Sequence, residues 1–354
     1  MIYIAIFISL IILRYSLLGQ RTLQLQFYPI VLFLLFIFTA FRFQVGCDWS
    51  TYYQIYIDHE ALLENTTIYN LREPLWWLVM DILNSIGASF VWLNVFVCMV
   101  FFLGINKLAR RSPDPLGFLV MLFPILIINM PMSALRQGVA IGLMCYAFSS
   151  FIDKKVLKFI LFIIIAAGFH TSALVFLPMF LFINGEYRAK TIFLGALIEL
   201  PLLGLMYLSS YGESQSNAYI GSGYDAEAAI FRSGILFISA LVFLFFYQRK
   251  WKVFYPHDYN LLMISSLAMI ANFFLVFLSS VISDRLGYYL IPIMALFFAR
   301  VPFFKNTQYR LFFTSAPYLG LLLVFIIWAM LSNHFAGCYM PYKTWLFGIP
   351  GDII

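Results

Sequence analysis

Apolar residues run through this chain in long blocks separated by short polar breaks. The blocks lie near residues 2–18, 24–41, 88–106, 116–133, 134–152, 156–170, 171–185, 190–208, 232–248, 259–282, 285–301 and 310–332. Most approach the ~20 residues that a helix needs to cross a hydrocarbon core, so about 12 transmembrane helices are predicted, within a range of roughly 10–13.

Two stretches depart from this pattern. Residues 73–87 are apolar, yet Asp81, Asn84 and Ser85 stand at i, i+3 and i+4 and form one polar stripe. That pattern predicts an amphipathic helix lying along the outer interface, and Pro74 suits its first turn. Runs 156–170 and 171–185 form one nearly continuous apolar stretch with basic clusters at both ends, so the chain is predicted to turn back at Gly168-Phe169-His170-Thr171. Each arm of about 14 residues rises roughly 21 Å against a core of about 30 Å. This predicts His170 below the outer surface, at the floor of a cavity.

Composition turns the pattern into a class. Of 354 residues, 63% are hydrophobic and 11% charged, and the mean hydropathy is +0.91. Water-soluble chains average about 45–50% apolar and about 25% charged, so a soluble protein is excluded. No polar stretch is long enough for an independent soluble domain. The expected fold is an all-α polytopic membrane protein, a single transmembrane domain over residues 1–354. Its extracytoplasmic pieces are a loop with interfacial helices at 42–87, a Gly/Ser/Asn-rich loop at 209–231 and a tail at 333–354. No internal repeat is apparent. The run Met1–Leu13 has no basic lead and no small-residue cleavage site, and reads as a retained first span.

Charge orients the spans. With the N-terminus outside, 16 of the 22 Lys and Arg residues fall on the cytoplasmic side, as the insertion bias requires. They are Arg14, Arg21, Lys107, Arg110, Arg111, Lys154, Lys155, Lys158, Arg188, Lys190, Arg249, Lys250, Lys252, Arg300, Lys305 and Arg310. A further crossing at 73–87 would send Lys107, Arg110 and Arg111 outside, which is why that segment is read as interfacial. The six exceptions are Arg42, Arg72, Arg136, Arg232, Arg285 and Lys343.

Those exceptions mark the candidate chemistry. Arg136 opens a helix in which Ala134, Gly138 and Gly142 repeat small residues at four-residue spacing, a pattern that allows close helix approach. A guanidinium there calls for an anionic partner. One reading is an ion pair fixing helix ends, for example with Asp284; the other is a clamp on phosphate or pyrophosphate, which the planar fork of Arg suits. Arg285, after Asp284, repeats the situation, and Arg232 and Lys343 read as loop charges. Asp48 could be a general base or the cap of the helix after it. Trp49, Tyr52, Tyr53 and Tyr56 recur at helical spacing, either as an interfacial belt or as a surface for sugar rings. Glu73 could act as a base or favour the start of the interfacial helix. His170 is the ionisable group placed in a membrane-embedded turn. Cys47, Cys98, Cys145 and Cys338 show neither metal-ligand spacing nor the density of a disulfide scaffold. No Asp-x-Asp pair, His-x-x-Glu-His or Cys-x-x-Cys grouping and no P-loop appears, so no cofactor and no metal site is expected. Asn65-Thr66-Thr67 matches a glycosylation sequon.

Taken in order, these residues resemble the EpsG/Wzy-type bacterial polysaccharide polymerases. The resemblance rests on Arg42 with Gly46-Cys47-Asp48-Trp49 and the tyrosines after it, Glu73-Pro74, Arg136-Gln137, Phe169-His170-Thr171-Ser172-Ala173, Arg285 with Tyr288-Tyr289, and Tyr339-Met340-Pro341-Tyr342-Lys343. Cys47 stands where Thr or Ser is expected, and Met340 where Trp or a similar residue is. The resemblance implies a GT-C-like architecture in the bacterial cytoplasmic (inner) membrane with an extracytoplasmic active face. It implies transfer of a growing glycan from undecaprenyl pyrophosphate onto a lipid-linked repeat unit, for O-antigen of lipopolysaccharide, capsule or exopolysaccharide. Arg42, Arg136, Gln137, Arg285, Tyr52, Tyr53 and Tyr288 would then bind substrate, and Asp48, His170 and Glu73 are the candidate catalytic groups. Implied partners are the lipid-linked oligosaccharides, a chain-length regulator and a flippase, with no nucleic acid. The alternatives are a glycosyltransferase using a polyprenyl-phosphate sugar and a lipid-linked oligosaccharide flippase or transporter.

Overall fold

The computed structural model describes residues 2–59, 73–185, most of 190–204, 229–304 and 310–347. Arg72, Arg188, Lys305, the Asn65 sequon, most of 209–231 and the end of the tail lie outside the described residues. The architecture is helical, with one two-stranded pairing among the described residues. Among the described residues, seven helices are long and apolar enough to cross a membrane: Arg21–Ala40, Phe90–Ala109, Leu135–Ile152, Ala229–Phe254, Pro256–Leu275, Ser280–Phe303 and Leu311–Leu331. Shorter apolar helices include Ile2–Leu17, Pro115–Ile127, Val156–Phe169 and Thr171–Phe182. The chain is thus an all-α, multi-pass membrane protein.

The chain divides into two compact units, residues 1–142 with 298–354, and residues 143–297. The divisions fall inside the helices Leu135–Ile152 and Ser280–Arg300, so no linker composition marks them and the sequence reads as one domain.

In the first unit, α1 (Ile2–Leu17) runs through the core. Tyr3, Phe7, Leu10, Ile11 and Arg14 share its buried side at helical spacing. The Tyr3 ring meets Phe38, Phe335, Tyr339 and Tyr342 edge-on, and Phe7 packs on Phe123 and Phe325. Around it lie α2 (Arg21–Ala40), α3 (Trp49–Ile57), α4 (Pro74–Ser85), α5 (Phe90–Ala109), α6 (Pro115–Leu122), the start of α7 (Leu135–Ile152), and, near the C-terminus, a helix at Arg310–Leu331 and a short one at Asn333–Tyr339. The small-residue spacing has its expected use where α7 crosses α5: a Cβ on Gly104 would overlap the Gly142 carbonyl. The amphipathic α4 has Pro74 in its first turn, buries Trp76 and Met80 and leaves Asp81 63% exposed. Twelve residues rise only about 18 Å, too little to span.

One end of this unit is laced to the C-terminal tail. Strand β1 (Arg42–Phe43) pairs antiparallel with β2 (Lys343–Thr344), Arg42 opposite Thr344. The Tyr342 hydroxyl donates to the Phe38 carbonyl at 2.7 Å and its ring stacks on Phe38. Gly46, at φ +109°, donates its N–H to the Cys338 carbonyl at 2.7 Å, and a Cβ there would overlap the Met132 carbonyl oxygen. Only glycine fits on both counts. Cys47 and Cys338, 291 residues apart, form a disulfide. Cysteine spacing gave no hint of it, although both residues lie in segments assigned to the same outer face, where an oxidising compartment favours such bonds.

In the second unit, α8 (Val156–Phe169) ends at His170, which is extended (φ −153°, ψ 111°). The chain then packs back along α8 as a 3₁₀ helix, Thr171–Phe182. The reversal falls at the predicted residues, but the second arm is not α-helical. Pro178 removes a donor from it, and at about 2.0 Å per residue a 3₁₀ helix of this length reaches roughly 24 Å. The helices α9 (Ala229–Val242), α11 (Pro256–Leu275) and α12 (Ser280–Arg300), with α10 (Gln248–Phe254) between the first two, complete the unit. Phe237 stacks on Phe273 at 4.6 Å. A buried polar network joins the Ser233 and Ser283 hydroxyls at 2.9 Å and Asn272 Nδ2 to Ser233 Oγ at 3.1 Å. Outward stripes such as Leu319, Leu323, Ile327 and Met330, or Leu157, Leu161 and Ile164, stay exposed. Contiguous apolar surface of this kind is unusual in water and is what lipid covers.

Candidate active site

Arg136 is positioned by the first turn of α7, where Ser133 and Ala134 lead into Leu135. Its Nη1 donates to Glu73 Oε2 at 2.7 Å, and its Nε reaches the Tyr52 hydroxyl at 3.4 Å. The predicted anionic partner exists, and it is Glu73 and not Asp284. Glu73 takes a left-handed backbone (φ 61°) immediately before α4 and makes no side-chain cap. That turn aims its carboxylate at the Arg136 guanidinium; the Glu73 side chain is 8% exposed and the Arg136 side chain 43% exposed. The Tyr52 ring packs on Trp76 at 5.5 Å. Burial raises the Tyr52 pKa, and the charge of Arg136 offsets part of that rise.

Asp48 lies near enough to Tyr52 for its charge to raise the phenol pKa further. Its side chain does not cap α3; it is exposed and accepts from Ser133 Oγ at 3.4 Å. Of the aromatic series in α3, Trp49, Tyr52 and Tyr56 are buried. Trp49 stacks on Tyr53 and meets Phe90, and the Tyr56 hydroxyl donates to the Ala88 carbonyl at 2.7 Å. Tyr53 is half-buried. The series therefore packs α3 against α5 more than it lines an open face.

Arg42 is 0% exposed. Its Nε donates to the Val45 and Met132 carbonyls at 3.0 and 2.9 Å, and its Nη1 to Thr39 at 2.8 Å. The guanidinium ties together the end of α2, the 44–48 loop and the segment before α7. Gln137 is buried. Lys343 Nζ donates to Gln44 Oε1 at 2.9 Å, across the β1–β2 pairing.

The second unit holds the remaining candidates. Asp284 pairs with Arg232, Oδ1 to Nε at 2.6 Å, and Arg232 lies over the Tyr288 ring. A residue that reads as a loop charge is thus the ion-pair partner, set in α9. Arg285 is half-buried and Tyr288 buried. The His170 Nδ1 and Ser172 Oγ are 2.6 Å apart, and Ser172 Oγ is 3.1 Å from the Tyr289 hydroxyl.

Among the described residues, Cys47, His334 and Cys338 are the group of potential ligands close enough to share a metal ion. Their sulfurs are joined in the disulfide and are not thiolates, the form that ligates metal.

A helical body with seven span-length helices among the described residues, and an arginine–carboxylate pair at one helix start, defines a multi-pass membrane protein. The chain matches the EpsG family over residues 25–344 and belongs to that family. Membership points to a polysaccharide polymerase, a glycosyltransferase-type enzyme acting in polysaccharide biosynthesis. No curated protein and no solved structure matches the chain.

Proposed function

We propose that this protein moves a growing glycan from undecaprenyl pyrophosphate onto a lipid-linked repeat unit at the outer leaflet of the cytoplasmic membrane. The observation that carries the reading is Arg136: a guanidinium oriented by Glu73 and Tyr52, on a side chain that is 43% exposed, in a chain of the EpsG family. In this proposal the acceptor hydroxyl oxygen attacks the anomeric carbon of the donor sugar. The bond from that carbon to the pyrophosphate oxygen breaks, and the electron pair leaves with the pyrophosphate, whose charge Arg136 stabilises. Asp48 takes the hydroxyl proton. Glu73, already accepting from Arg136, orients the arginine and is the poorer base. Arg42 holds the loop that carries Asp48 and does not itself touch substrate. Within the second unit, Arg285 is proposed to bind substrate phosphate and His170 to be the competing base for that same proton, each tested by its own substitution.

Deletion of the gene in a polymer-producing strain is expected to leave lipid carriers with at most one repeat. Arg136→Ala, present in the membrane at the wild-type level, fails to restore the polymer ladder. Unchanged long-chain laddering in the deletion strain, or full restoration by that variant, overturns the reading. Asp48→Asn is expected to abolish synthesis with lipid-linked substrate still bound.

A further inference from the structure

At the opposite end of the first unit from Arg136, a cavity of about 340 Å³ opens between the start of α2 and the link from α5 to α6. Its polar lining is Arg21, Gln24, Tyr28, Arg110 and Ser112, and its apolar lining includes Leu25 and Pro29. It contains two guanidinium groups and no carboxylate. Asp114, two residues beyond Ser112, is fully buried and paired with Arg14.

Several details fit an anion. Arg21 is the first residue of α2, where a cation opposes the helix dipole and favours a compensating negative charge. Arg110 Nε is held by Asn106 Oδ1 at 3.0 Å, as is the Tyr28 hydroxyl at 3.1 Å, and the Arg110 side chain is exposed. Gln24, 1% exposed, donates its Nε2 to the Leu17 carbonyl at 3.1 Å. That bond fixes the amide orientation and leaves Oε1 without a partner, an acceptor suited to a ligand hydroxyl. Along α2, Leu25 at the cavity and Phe33 two turns further on are exposed.

We propose that this cavity binds the headgroup of an anionic phospholipid, with Arg21 and Arg110 on the phosphate, Gln24 on a headgroup hydroxyl, and an acyl chain along the exposed side of α2. Both arginines lie at the ends of helices long enough to span, the depth at which lipid phosphates sit. The proposal is independent of the polymerase reading.

The test is native mass spectrometry of the full-length protein in detergent, with phosphatidylglycerol or phosphatidylcholine added at equal concentration. Preferential retention of phosphatidylglycerol is expected, and Arg21→Gln with Arg110→Gln should lower its affinity roughly thirtyfold, while the elution profile of the protein stays monodisperse. If the double variant does not fold, Arg21→Gln alone, at an exposed position, should lower affinity several-fold. Equal retention of the two lipids, or undiminished retention in the variants, overturns the proposal. Displacement of phosphatidylglycerol by millimolar inorganic phosphate would also overturn it, by assigning the site to a soluble anion.

Discussion

Arg14 and Arg136 belong to the same unit, and each pairs with one carboxylate, at 2.9 Å to Asp114 and 2.7 Å to Glu73. The first pair is sealed, both side chains 0% exposed. Asp114 also accepts the Gly117 N–H at 2.7 Å, and the Arg14 guanidinium lies 4.0 Å from the centre of the Tyr318 ring. The second pair is half open. Identical chemistry therefore supports opposite roles: a sealed pair has no surface left for a ligand and joins α1 to the start of α6, whereas Arg136 is oriented by its partner and still accessible. Residual exposure, more than charge or position in the sequence, separates the candidate site from the brace.

Four changes would break or sharpen this contrast. Arg14→Ala leaves Asp114 buried without its cation, so thermal unfolding in detergent should show a loss of about 3–5 kcal/mol. Most of that loss should be recovered by Arg14→Met combined with Asp114→Leu, and an unaffected single variant would remove the distinction. At the open pair, Arg136→Lys keeps the charge opposite Glu73 but loses the fork. Stability should stay within about 1 kcal/mol while polymer synthesis falls roughly a hundredfold; equal damage to fold and activity would make this pair a brace as well. Gly46→Ala, at a left-handed position against the Met132 carbonyl, should cost about 1–3 kcal/mol and depress synthesis by shifting the loop that holds Asp48, both measurable on the same purified variant. Asp81→Ala, on the outward stripe of α4, should change stability by less than about 0.5 kcal/mol and leave the polymer ladder unchanged.

Much of this organisation is legible along the chain. A short amphipathic helix is expected from Asp81, Asn84 and Ser85 on one stripe after Pro74, and a helix occupies Pro74–Ser85. The reversal at His170 follows from basic clusters flanking an uninterrupted apolar stretch. The need for close packing follows from Gly138 and Gly142. These are properties of residues within a turn or two of one another. The partners of the arginines are not. Asp284 is a plausible mate for Arg136 by charge and predicted side, yet it meets Arg232, and Glu73 reaches Arg136 through a left-handed turn that its sequence context does not announce. The α3 aromatics carry the same ambiguity: spacing places them on one face, and only packing against Phe90 and Trp76 shows that most of that face is interior.

The sequence by itself determined that this protein is a helical, multi-pass membrane protein, and it singled out six basic residues that oppose the predicted insertion bias. It did so because hydrophobic periodicity and the cost of placing charge across a membrane act locally and additively along the chain. Only the tertiary structure decided that Glu73, 63 residues away, orients Arg136, that Arg42 is sealed among backbone carbonyls, and that Cys47 is bonded to Cys338. Those outcomes depend on which helix ends come together in three dimensions, and that is set by packing complementarity spread over the whole unit.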